Sequence, residues 1–245
     1  MYNSLKKTLK AIVPKKFLFK NEMVLRKFYG FFYLGKNHQC NICDHKLKSF
    51  IVLKNGDLLC PFCGSLSRNR RLWAMLNQNN KNGNWLHFSP SRSLYRKLKA
   101  NSEINYFSTD FEDEFLADFK FDITKIDQEN EKFDSIICYH ILEHIENDDL
   151  AMKELYRVLK PNGKIYIQTP FKDGEIYEDK SIITPKAREK HFGQNDHVRI
   201  YSVEGLKKRL ESNNLIVEAI TFEENDSDLY YGLDSPETII IARKQ

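Results

Sequence analysis

The sequence predicts an α/β protein: one mainly parallel sheet, preceded by a small metal-stapled module and a basic helical arm. Three stretches predict it. Residues 133–170 read as strand, helix, tight turn and strand, a βαβ unit whose sheet would present ligands at the carboxyl ends of its strands. Residues 40–63 hold two Cys-x2-Cys pairs. The first 36 residues carry nine Lys or Arg against a single Glu, so the rest of this +4 chain is mildly acidic. A chain of 245 residues can bury one good core plus a small module that needs a staple. Its 41% hydrophobic content suits a soluble globular protein. There is no apolar run long enough to span a bilayer, and no apolar h-region with a cleavage site at the N-terminus. A cytoplasmic protein is expected.

Residues 1–37 form the predicted arm. Two short helices hinged at Pro14 are expected over residues 4–33, the first with Leu5, Leu9, Ile12 and Val13 on one stripe beside Lys6, Lys7 and Lys10. Beyond the hinge, Phe17, Phe28, Phe31 and Phe32 sit among Lys15, Lys16, Lys20, Arg26 and Lys27. Such a helix suits peripheral contact with an anionic membrane, here the inner face. The alternative is an arm packed on the protein's own body or on a second subunit.

Residues 38–66 read as a zinc ribbon. Cys40, Cys43, Cys60 and Cys63 can close a tetrahedral four-thiolate site, which leaves no position open for catalysis and marks the metal as structural. Between the pairs, Phe50–Leu53, Asn55-Gly56 and Leu58-Leu59 suit a hairpin. Matched pairs are better explained by one metal than by redox chemistry. A helix with Arg68, Arg70 and Arg71 follows. Clustered arginines bind phosphate or carboxylate well, and are otherwise a solvated face.

The third predicted region, residues 67–245, holds the sheet. Residues 84–92, NWLHFSPSR, and 104–111, INYFSTDF, supply two strands, the second ending at Asp110. Phe133, Ile136 and Ile137 mark a strand buried on both faces. Asp148 or Asp149 is expected to cap the next helix, whose apolar face is Leu150, Met152, Leu155, Val158 and Leu159. Lys160-Pro161-Asn162-Gly163 should end it, with glycine taking positive φ, before a strand over Lys164–Thr169. Residues 171–200 are far longer than an ordinary connection, as lids and binding segments are. A helix over 203–214 and strands at Leu215–Phe222 and Thr238–Ala242 complete the chain.

CYHILEHI followed by ELYRVLKPNGKIYIQTP resembles the fourth-to-fifth-strand region of class I S-adenosylmethionine-dependent methyltransferases. With CPFCGSLSRNRRLW before it and HFGQNDHVRIY after, the chain is similar, over about residues 38–245, to a bacterial subgroup. That subgroup joins a zinc ribbon to this enzyme and often sits in surface-polysaccharide gene clusters. The resemblance implies a Rossmann-like, seven-stranded sheet with an antiparallel final pair, and S-adenosylmethionine as methyl donor. It places Phe88, Ser89 and Pro90 in the cofactor loop, where most class I enzymes have Gly-x-Gly and this chain has no glycine. Asp110 would hold the ribose hydroxyls, Phe111 would cover the adenine, Asp122 and Ile123 would meet its amino group, and Tyr139 would lie beside the reactive methyl. For Asp110 and Asp122 the alternative is loop capping.

If helical, His140, Glu143 and His144 share one face, and two imidazoles with a carboxylate can serve as a base or hold a second divalent metal. Some class I O-methyltransferases hold a metal with a similar ExxEH set, and here His140 stands for the first glutamate. The alternative is packing, since many methyltransferases keep LEHI without metal. His191 or His197 of the long connection could be the base instead. Arg68, Arg71, Tyr177, His191, Gln194, His197 and Arg199 are the candidate substrate contacts, suited to a polar, anionic or sugar-bearing acceptor. The expected reaction is O-methylation of a nucleotide-linked sugar, capsule precursor or phosphoramidate-type precursor. Two rivals are an rRNA or tRNA methyltransferase using the ribbon on RNA, and a non-catalytic binding protein, suggested by the glycine-free loop. An acidic body speaks against a broad RNA or DNA surface.

Overall fold

A computed structural model describes residues 21–77 and 82–245. The first arm helix, the Pro14 hinge and Phe17 lie outside those residues. The chain divides into two compact units.

One unit holds residues 21–77 with Ser91–Lys97 and Glu223–Pro236. Helix α1 (Glu22–Phe31) starts on an acidic residue, favourable at a helix N-terminus, and Glu22 pairs with Arg26 at 2.9 Å and with Arg96 at 2.8 Å. Its Phe28 and Phe31, and Phe32 after it, are exposed. Strands β1 (Leu34–Gln39) and β2 (Lys46–Leu47) pair antiparallel, as do β3 (Ile51–Val52) and β4 (Leu58–Leu59). The second pair is the predicted hairpin, with Gly56 at φ +86° in its turn.

Helix α2 (Ser67–Leu76) carries the arginine cluster, and the structure gives two of its members structural roles. Arg70 is fully buried, donates to the carbonyls of Leu58, Ser65 and Gly232, and lies over the Phe50 ring. Arg71 pairs with Asp228 at 2.5 Å and donates to the Asp234 carbonyl, with both side chains almost wholly buried. The expectation that Arg71 binds substrate is corrected here. A guanidinium so enclosed and paired has no face left for a ligand. Arg68 is half-buried on the same helix. Helix α3 (Arg92–Lys99) begins in this unit.

The other unit is the sheet. Strands β5 (Gly83–Phe88), β6 (Ile104–Thr109), β7 (Phe133–Tyr139) and β8 (Leu159–Gln168) run parallel in the order β8-β7-β5-β6. β12 (Glu237–Arg243) adds antiparallel beside β8, and β11 (Ile216–Phe222) beside β12. The parallel strands and the antiparallel final pair are as expected. Six of the expected seven strands form among the described residues. The third-strand position is reduced to one parallel bridge, Thr109 to Phe119. There the backbone N–H groups of Asp118 and Phe119 both go to the Ser108 carbonyl, and that of Phe121 goes to the Thr109 hydroxyl, so no ladder extends.

Helix α4 (Asp148–Val158) departs from expectation at both ends. Asn147, not an aspartate, is its N-cap, accepting from the Leu150 N–H at 3.1 Å. Leu150 points to solvent, while Ala151, Met152, Leu155 and Val158 are buried. After Val158 the chain passes directly into β8, and the positive φ falls on Asn162 (+62°) instead of Gly163. Two further helices, α5 (Pro185–Phe192) and α6 (Val203–Glu211), and the short pair β9 (Tyr177–Glu178) with β10 (Arg199–Ile200) complete the unit. The core lies around β7 and β8, with Leu86, Phe133, Ile136, Met152, Leu155, Ile165, Ile167 and Ile240 all excluded from solvent.

Candidate active site

Three strand ends converge. Leaving β5, Ser89 takes φ +43°, a left-handed conformation that costs a non-glycine residue free energy and that a glycine loop would adopt freely. Two hydrogen bonds hold it there: its N–H donates to the Thr109 carbonyl at 2.7 Å, and its hydroxyl donates to Asp110 Oδ1 at 2.7 Å. The absence of Gly-x-Gly therefore does not prevent the turn. Asp110 ends β6, as expected, and is 4% exposed. Its Oδ2 accepts from the N–H groups of Glu114 (2.6 Å) and Phe115 (3.0 Å), which occupies both lone pairs of that oxygen. Oδ1 keeps one acceptor site, so one hydroxyl can be held without disturbing the turn.

The remaining predicted cofactor residues divide. Phe111 is half exposed and, with Asp122, lines an open cleft of about 660 Å³ that also includes Lys120, Ile126 and Arg157. Asp122 Oδ1 accepts from both the N–H and the hydroxyl of Thr124, a local turn of the capping kind. Phe88 and Ile123 pack in the main core, so only their backbone remains for a ligand. Pro90 and Tyr139 are buried. Neighbouring His87 is enclosed against the Tyr106 hydroxyl at 2.9 Å, and burial pushes its imidazole down to about 3.

At the end of β7 the chain bends at His140, φ +54°, whose N–H donates to the Gln168 carbonyl. The expected helical face does not form. Leu142–His144 is one 3-10 turn, and His140 precedes it. His140 Nδ1 lies 3.2 Å from Glu143 Oε1, a close polar contact that falls short of full hydrogen-bond geometry. Glu143 is 1% exposed. Burial alone would raise its carboxyl, but His140, with smaller help from the local backbone and the charge of His144, outweighs burial and holds it below the usual carboxylate value. His140 Nε2 is enclosed without a partner among the described residues.

The long connection docks on this turn. The Val198 N–H donates to the Glu143 carbonyl at 2.9 Å. Arg199, 5% exposed, donates to the carbonyls of Leu142, Ile145 and Glu146 and to the Glu178 carboxylate. That is a second correction, since Arg199 clamps backbone and is not available to a substrate. Tyr201 donates to Asp148 beside it. The clamp seats the buried His197 ring against His144, with centroids 4.6 Å apart. Burial first, then the charge of His144, lowers the His197 imidazole. His191 and Gln194 remain exposed, and Tyr177 meets His191 Nδ1 at 2.7 Å through its hydroxyl.

The predicted metal set changes membership. Among the described residues, the clustered donors are Glu143, His144 and His197, not His140. His197 was legible only as a lid histidine, because its place depends on a contact across more than fifty residues of chain. The four cysteines do cluster, within 4.8 Å of one another. Cys40 and Cys63 sulfurs lie 3.6 Å apart and those of Cys43 and Cys60 3.7 Å. Tetrahedral zinc with bonds of ~2.3 Å requires sulfurs about 3.8 Å apart, whereas a disulfide needs ~2.05 Å. Both knuckles end in a left-handed residue, Asp44 and Gly64, whose N–H donates to the first cysteine's carbonyl. The thiolate set thus has the spacing of a metal site.

Residues 70–220 match the model of a family described as methyltransferase domain. Over 102 residues the chain is 29% identical to the mitochondrial ubiquinone biosynthesis O-methyltransferase of Mus musculus, 39% of this chain and 26% of that protein. It thus spans about a quarter of that relative's length. A solved S-adenosylmethionine-dependent methyltransferase from Archaeoglobus fulgidus superposes with TM-score 0.53 at 16% identity, covering 71% of this chain and 91% of that one. A Thermotoga maritima structure, described as a possible histamine N-methyltransferase, gives 0.50 at 16%, covering 69% and 86%. At these identities the structures speak for the fold alone. With the family model covering more than half of the chain, and the sheet order and strand-end site in agreement with it, the protein belongs to the methyltransferase-domain family.

Proposed function

We propose that the protein transfers the methyl group of S-adenosylmethionine to an oxygen of a polar, sugar- or phosphate-bearing small molecule. The observation that carries this is the convergence of Ser89, Asp110 and His140 at the carboxyl ends of adjacent parallel strands, where ligands of such sheets bind. The residues fit the cofactor: Asp110 Oδ1 retains an acceptor site for a ribose hydroxyl, and an unpartnered imidazole nitrogen lies at the end of β7, on the other side of β5. When bound, S-adenosylmethionine supplies an electrophilic methyl on a good leaving group. The protein's part is then alignment and removal of one proton. Glu143 beside Nδ1 of His140 favours the tautomer whose Nε2 takes the acceptor's proton.

An oxygen acceptor is supported by the matched relative being an O-methyltransferase, and a polar one by half-buried Tyr177 and exposed His191 and Gln194 on the long connection. The surface-polysaccharide setting rests on the resemblance of the ribbon and HFGQNDHVR. The four cysteines would hold a structural zinc ion. The exposed phenylalanines of the arm would rest on an anionic membrane surface. No helix among the described residues is long and apolar enough to cross a membrane.

The acceptor class is tested with methyl-labelled S-adenosylmethionine, zinc-loaded protein and two panels. One holds sugar nucleotides and phosphorylated sugars, the other bulk rRNA and tRNA. Label is expected in the first. Salt-sensitive labelling confined to RNA would replace this reading with the nucleic-acid one.

A further inference from the structure

We propose that Glu143, His144 and His197 form a second metal site, distinct from the four cysteines, that takes one borderline divalent cation such as Zn2+ or Co2+. One donor atom from each lies within 4.8 Å of the other two, a separation that a single ion can bridge. The carboxylate of Glu143 is 1% exposed, yet neither oxygen accepts a hydrogen bond from the described residues. His197 is 3% exposed, and its Nε2 is likewise unpartnered. Buried polar atoms are nearly always satisfied, so Glu143 Oε2 and His197 Nε2, with Oε1 served only by the 3.2 Å contact from His140, call for a ligand.

The imidazoles are arranged as metal-binding histidines are. His197 Nδ1 lies 3.2 Å from the Phe192 carbonyl, and His144 Nδ1 lies 3.2 Å from the Asp196 carboxylate. The Phe192 carbonyl, hydrogen-bonded at His197 Nδ1, fixes the proton there and leaves Nε2 with its lone pair for a cation, and the Asp196 carboxylate beside His144 Nδ1 favours the same arrangement. The backbone holds the set in place without metal, through Val198 N–H on the Glu143 carbonyl and Arg199 on the Leu142 carbonyl. Two imidazoles and a carboxylate are a nitrogen–oxygen set for zinc-like ions, and three protein ligands leave a coordination position open. An acceptor oxygen could occupy that position, a consequence that rests on the methyl-transfer reading. The metal site itself does not.

The test is metal stoichiometry on the full chain, with no methyl donor present. Zinc-saturated and desalted protein is expected to hold two equivalents. Glu143→Gln and His197→Ala should each hold one, while His191→Ala, on the exposed part of the same segment, should keep two. Cobalt substitution identifies the sites separately. The cysteine site gives intense thiolate charge-transfer absorption in every variant. The second equivalent should add only weak ligand-field bands, absent in His197→Ala. Circular dichroism checks that the variants are folded. A single equivalent in the wild-type protein, or two in a folded His197→Ala, would overturn the proposal.

Discussion

Cys60→Ser, or removal of metal by a strong chelator, is expected to unfold the N-terminal unit outright. Two-residue strands β2, β3 and β4 bury little on their own, and buried Cys40, Cys60 and Cys63, with half-buried Cys43, sit where larger domains place core side chains. A structural thiolate zinc site contributes on the order of 10–16 kcal/mol of apparent binding free energy, comparable to or larger than the whole stability of an ordinary domain. The loss would also release Arg70 and Arg71 from the carbonyls and carboxylate that make their burial tolerable. Limited proteolysis should then cut within residues 38–76 in the metal-free protein and not in the zinc form. Equal resistance of both forms, with metal removal verified, would show that the ribbon needs no ion.

His140→Ala is expected to lower kcat by about 10²–10⁴-fold, the usual contribution of a positioned general base. Cofactor affinity should change little, since Ser89 and Asp110 are held by hydrogen bonds to each other and to the Thr109 carbonyl. The same variant carries a second, independent signature. In the wild-type protein Glu143 is held below its ordinary value, so its ionisation adds stability above the unfolded carboxylate range, and that stability is lost as pH falls through the folded value. Without His140 the strongest influence that lowers the Glu143 carboxyl is gone while burial, which raises it, remains, so its ionisation contributes less stability above the carboxylate range. Urea midpoints measured between about pH 7 and 4.5 should therefore decline more steeply toward acid in the wild type than in His140→Ala. A variant with unchanged kcat would return the base to one of the lid histidines.

The parallel sheet was legible because its signals are local. The apolar run at Phe133–Cys138 and the α4 stripe each specify their own element, and the cysteine spacing specifies a four-thiolate cluster. What was not legible depends on partners remote in sequence. Arg71 and Arg199 look like anion-binding arginines until Asp228 and the Leu142–Glu146 carbonyls are placed beside them. Neither the composition nor the spacing of HFGQNDHVR reveals that Arg199 is a clamp and His197 a buried ring. Local rules also missed a cap by one residue, because Asn147 and Asp148 are both good caps and only Asp148 has Tyr201 and Arg209 as alternative partners. At Ser89 the departure from a glycine loop was visible in sequence, but the hydrogen bonds that hold its left-handed turn were not.

The most direct test of the methyl-donor site is a calorimetric titration of zinc-loaded protein with S-adenosylhomocysteine, repeated on Asp110→Ala. Binding at or below ~100 μM, about 5–6 kcal/mol, that weakens at least tenfold in a folded variant is the predicted result. Equal binding by the variant would remove Asp110 from the cofactor site. No binding by folded wild-type protein would contradict the methyltransferase account.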